Sequence, residues 1–128
     1  MREQPTAVEL LDIVAEFLRA EVLPALSGRT AFHTRVAANV LDMVRREVAL
    51  GPGALVGEAE RLRSLLGSDG DVADLNHELC ERIAGGDVDL FDADLLDHLW
   101  KTTIDTVAID QPKYATYRRA TAGEPGDA

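Results

Sequence analysis

The sequence predicts an all-α fold, an antiparallel bundle of about five helices. Three observations carry this expectation. Apolar residues recur three and four positions apart through most of the chain. Capping residues open the periodic runs, and glycine or proline closes them. No segment alternates with period two for long, and β-branched and aromatic residues are not bunched into strands. Short connections between the runs suit antiparallel neighbours. A chain of 128 residues accommodates one domain, expected over 1–118, with 119–128 as a disordered tail.

The first helix opens at Thr6-Ala7-Val8-Glu9, a capping box in which hydroxyl and carboxylate satisfy orphan amides. It should run to about Val22, because Pro24 disfavours helical geometry at Leu23. Leu11, Ala15, Leu18 and Val22 form one apolar stripe, and Leu10, Ile13 and Phe17 form another. A helix apolar on two sides is central to its domain or packs on another chain. The second helix spans about Thr30 to Leu50, with Gly51 as its stop and Pro52 beyond. Phe32, Val36, Val40, Met43 and Leu50 face one way, and Leu41, Val44 and Val48 widen that arc. After the loop Gly51-Pro52-Gly53, a short third helix covers about Leu55 to Leu66. Asp71 caps a fourth, Val72 to Ala84, ended by Gly85-Gly86. Asp92 or Asp94 starts the fifth, which runs to about Ile109 with Leu95, Leu96, Leu99, Trp100, Thr103 and Val107 as its inner face. Tyr114 and Tyr117 follow Pro112 on an extended or single-turn segment, and the tail begins near Ala120.

Composition excludes several classes. Apolar residues make up 46% of the chain, which is globular and not disordered. The single cysteine, Cys80, rules out an internal disulfide framework and reads as a core filler, since Glu78 and Glu81 oppose its thiolate. The start MREQPT has no secretory pattern, and the longest stretch without a charge, Val48 to Gly57, is too short to span a bilayer. A cytoplasmic protein with no membrane contact is expected. The formal charge of −10 is concentrated in residues 69–110, which hold 12 acidic and 2 basic side chains. Such a surface repels phosphate, so no nucleic acid is expected as a partner.

Candidate site residues lie mainly on the second helix. Arg35, Asn39, Asp42 and Arg46 are spaced four, three and four apart along one edge. Arginine forks and an amide could hold a carboxylate or phosphate, with His33 nearby; alternatively they form an internal salt-bridge ladder. Asn76 falls between Val72, Leu79 and Ile83 on a buried face. Asn39 and Asn76 are both expected to be mostly buried and hydrogen-bonded, fixing helix register or lining a small polar pocket. His33, His77 and His98 are the metal and acid–base candidates, and no three ligands show metal-binding spacing. No catalytic motif, cofactor or metal is indicated.

Three stretches carry a family resemblance: Phe32-His-Thr-Arg-Val-Ala-Ala-Asn-Val-Leu41, Asp74-Leu-Asn-His-Glu-Leu-Cys80, and Ile109-Asp-Gln-Pro-Lys-Tyr114 with Tyr117. Together they resemble a bacterial family of small all-helical proteins known as a domain of unknown function, over roughly residues 5 to 118. Members often sit beside genes for an aminoglycoside-phosphotransferase-like kinase and an acyl-CoA dehydrogenase. Arg35, Asn39, Asn76, Pro112 and Tyr114 match its characteristic segments, whereas the usual Asn-Pro is here Gln111-Pro112. The resemblance implies a context, kinase-linked acyl-CoA metabolism, and not a reaction. Two functions are consistent with the residues. One is an accessory or regulatory subunit, a homo-oligomer or a partner of a phosphotransferase-like protein, with Leu10, Ile13 and Phe17 as interface. The other is a small-molecule binder or enzyme using Arg35, Asn39, Arg46, Asn76 and His33.

Overall fold

Thr6 does what its sequence context requires. Its side chain accepts from the Glu9 amide, and the Glu9 carboxylate accepts from the Thr6 amide, which closes the capping box of α1, Ala7–Phe17. In the computed structural model, which describes residues 4–122, the helical path then widens and tightens again. Leu18–Val22 forms a π-helical turn in which the Leu23 amide donates to the Leu18 carbonyl, and Leu23–Ala25 a 3-10 turn containing Pro24. Proline has no amide and cannot continue the ladder, so the chain leaves the helix soon after it. Gly28, at φ 62°, supplies the left-handed residue that opens α2.

Helix α2 runs without a break from Gly28 to Leu66. This corrects the expected stop at Gly51 and the separate short helix from Leu55. Glycine and proline weaken a helix without forbidding it. Pro52 lies inside the helix on an exposed side, where water can take the carbonyl that loses its donor. α3 spans Val72–Ala84, capped by the Asp71 carboxylate on the Asp74 amide. α4 spans Ala93–Asp110, capped by Asp92 on the Leu95 amide. α5, Ala115–Thr121, places Tyr117 in a helix and carries helix into residues expected in the tail. Residues 123–128 of that tail lie outside the described residues. The fold is all-α, with five α-helices and no strand among the described residues. The count equals the expected one, but two expected helices have merged and a short one has appeared.

The chain divides into two compact units, one ending at Gly51 and one beginning at Pro52. In unit 1, the buried residues are Ala15 and Ala38. Leu11, Leu18 and Val22 are half-buried beside Ala15, as the first stripe of α1 requires. On α2 the inner positions are Thr34, Ala38, Leu41, Asp42 and Arg45. The apolar arc Phe32, Val36, Val40, Met43 and Leu50, which the sequence places on one side, is exposed. Unit 2 has a leucine core. Leu62 and Leu66 of α2, Leu75 and Leu79 of α3, and Leu95 of α4 form it, with Val72, Ile83 and Val88 packed against it. Leu96, Leu99 and Trp100, assigned by sequence to the inner face of α4, are exposed, and Leu95, His98 and Ile109 are buried.

Gly53 has a helical backbone, and a Cβ placed there meets nothing within 4 Å. Gly53→Ala is therefore expected to stabilise the fold by about 0.5–1 kcal/mol, measured as a raised midpoint in urea unfolding. A lowered midpoint would show that α2 does not run helically through this position in solution.

Candidate functional site

The polar line on α2 is engaged from within unit 1. Arg19, carried by the π-helical turn, donates through Nη2 to Asn39 Oδ1 at 2.8 Å and to Asp42 Oδ2 at 2.6 Å. Arg45 lies 3.9 Å from Asp12, a longer contact on the same side. The hydrogen bond from Arg19 is the main reason the Asp42 carboxyl sits below its usual range, and the same bond holds Arg19 above its ordinary value. At Asp42 the line carries an ion pair and at Asn39 a hydrogen bond, both to the Arg19 cation.

Asn39 is exposed, which corrects the expectation of a buried amide. Its apolar wheel neighbours Phe32 and Met43 are themselves on the outer side, so the residue lies at the edge of the packed face. His33 is exposed and accepts at Nε2 from Arg29 Nε at 3.2 Å. Arg35 is exposed, and Arg46 is half-buried. Asn76 belongs to unit 2. It is half-buried and donates to Glu58 Oε1 at 2.8 Å, so each asparagine has its own local partner.

Among the described residues, the buried polar side chain is one of the three histidines that the sequence offered for metal or acid–base chemistry. His98 is 2% exposed and lies between Leu95 and Thr102 on the inner side of α4. Arg61 of α2 donates through Nε to His98 Nδ1 at 3.1 Å and through Nη2 to Thr102 Oγ1 at 3.2 Å. Because Nδ1 accepts, the neutral imidazole carries its proton on Nε2. Burial, and then the Arg61 charge, hold the His98 pKa below its ordinary value against the opposing effects of Glu58 and Asp97. The spacing Leu95, His98, Thr102, Asp105, Ile109 is helical and visible in the sequence. The more apolar stripe Leu96, Leu99, Trp100 masked it.

Among the described residues, no group of three or more His, Cys, Asp or Glu side chains could hold a metal ion. His77 and Glu81 pair at 3.0 Å on the exposed side of α3. Cys80 is exposed, which corrects its reading as a core filler: it follows the buried Leu79 round the helix to the solvent side. Among the described residues, no helix is long and apolar enough to cross a membrane. On α1, Leu10, Ile13 and Phe17 are 40%, 59% and 55% exposed.

Two outcomes follow from these geometries. Arg19→Ala removes the donor shared by Asn39 and Asp42 and is expected to cost about 1 kcal/mol, while Asn39→Ala, at an exposed position, costs less than half of that. Urea unfolding of both variants checks the order, and a larger loss for Asn39→Ala would contradict this arrangement. For His98, the depressed pKa means that its stabilisation is present above about pH 6.5 and is lost as pH falls through the folded value. Trp100 is the sole tryptophan and lies on the same helix, so its fluorescence reports the unfolding of unit 2. Melts of wild type and His98→Gln should diverge as pH falls below about 6.5, with the variant flatter. Parallel curves would show that His98 protonates as readily folded as unfolded.

The family model for a domain of unknown function, DUF6285, matches residues 24–114, which takes in all of α2, α3 and α4. No curated protein and no solved structure matches the chain. A match over well more than half of the sequence settles membership, and the chain belongs to the DUF6285 family.

Proposed function

We propose that the chain is an accessory or regulatory subunit that works by binding another protein through α1. The observation that carries this reading is the second apolar stripe, Leu10, Ile13 and Phe17, exposed on a helix whose other apolar side already packs within unit 1. Exposed apolar stripes of this kind mark interaction surfaces more often than solvent-facing ones. Glu9 and Glu16 lie along one edge of the stripe, so a partner with an apolar groove and a basic rim fits it. The family resemblance supplies the candidate: a phosphotransferase-like protein of a cytoplasmic acyl-CoA-metabolism system. Engagement of Asn39 and Asp42 by Arg19 weighs against a small-molecule site on the same line.

Isothermal titration of the chain into a phosphotransferase-like protein, taken from a genome that encodes the two side by side, tests the reading. Wild type should bind, and Phe17→Glu should weaken binding at least about a hundredfold, as loss of a buried aromatic anchor does. Helical circular dichroism should be unchanged in the variant. Absence of binding by wild type, or equal binding by Phe17→Glu, would overturn the proposal.

A further inference from the structure

The larger unpartnered face in unit 1 belongs to α2 and not to α1. Phe32, Val36, Val40, Met43, Val44, Val48 and Leu50 are all between 39% and 58% exposed. At 100° per residue they occupy one continuous arc, opposite the Thr34, Ala38, Leu41 and Arg45 side that faces inward. Seven side chains about half exposed leave roughly 500 Å² of apolar surface, and a polar rim brings this near the roughly 800 Å² that one partner gives to a standard interface.

We infer that this face pairs with the same face of a second copy of the chain, the two α2 helices running antiparallel. Charge selects the occupant. Within the apolar arc the charged side chains are Arg29 at one end and Glu47 at the other, both exposed. They are 18 residues apart, which is five full turns, so they lie on the same line of the helix about 27 Å from each other. A two-fold axis at the level of Ala38 places Arg29 of each copy opposite Glu47 of the other. The same register sets Phe32 against Val44 and Val36 against Val40. A parallel pair would oppose like charges at both ends. Net charge points the same way. Residues 1–51 hold six basic and seven acidic side chains, net −1, whereas residues 52–128 hold seven and sixteen, net −9. The unit 1 face is nearly neutral and so meets a second copy of itself with little charge repulsion. This pairing uses a surface separate from the α1 stripe and stands without the proposal made for it.

Sedimentation equilibrium of the full chain tests the inference. Wild type should give twice the 13.9 kDa chain mass at micromolar concentration. Val40→Glu should give a monomer of unchanged helicity. Arg29→Glu and Glu47→Arg should each weaken the dimer roughly tenfold, since each variant reverses two symmetric pairs. The double variant Arg29→Glu with Glu47→Arg should recover wild-type affinity within about threefold. Phe17→Glu should leave the dimer intact, which separates this face from α1. A monomeric wild type overturns the inference, as does a dimer that survives Val40→Glu. Failure of the double variant to recover affinity overturns the antiparallel register.

Discussion

A pair of helices can bury one stripe of each against the other, and unit 1 carries more apolar surface than those stripes hold. Among its described residues the fully buried ones are two alanines, Ala15 and Ala38. Alanine contributes little transfer energy, so hydrophobic burial alone does not fix how α1 and α2 meet. The directional element is Arg19, whose guanidinium reaches two acceptors on α2 in one grip. The π-helical turn belongs to the same device. A wider turn shifts the positions after it around the axis relative to an α-helical continuation. Arg19 sits in that turn, on the side from which Asn39 and Asp42 can be reached.

Unit 2 solves the same problem with a different balance. Leucines from three helices make a core, and next to it lies a polar line, Arg61, His98 and Thr102, with Glu58 and Asn76 paired nearby. A buried imidazole without a donor would cost about 1–3 kcal/mol, so Arg61 is a requirement of this packing. The arrangement specifies geometry more than it adds stability, because a cation and a histidine oppose each other when both are charged. It also makes unit 2 sensitive to acid in a way that the leucine core alone would not be.

Local chemistry was legible in the sequence wherever it acts within one turn. The capping box at Thr6, the Asp71 and Asp92 caps and the Leu11, Ala15, Leu18 and Val22 stripe all stand in the structure as their spacing requires. The outer stripe Leu10, Ile13 and Phe17 was legible for the same reason. What misled was the assumption that the most apolar face of a helix is the inward one. On α2 and α4 the more apolar arcs, Phe32 to Leu50 and Leu96 to Trp100, face outward, and Ala38, Asp42, His98 and Thr102 face inward. That inversion put Asn39 inside when it lies outside, and hid His98. Gly51-Pro52-Gly53 misled differently. Its breaking tendency is real, but packed helix on both sides outweighs it, with Ala38 buried before it and Leu62 after it.

With the proposed pairing of two α2 faces, unit 1 gains protection from a second copy, whereas the leucine core of unit 2 is complete within one chain. Hydrogen exchange at the backbone amides, followed over about a hundredfold range of protein concentration, tests this most directly. Protection of Phe32–Leu50 should rise with concentration, while protection of Leu75–Ile83 stays constant. Protection of Phe32–Leu50 that is the same at every concentration would contradict the account.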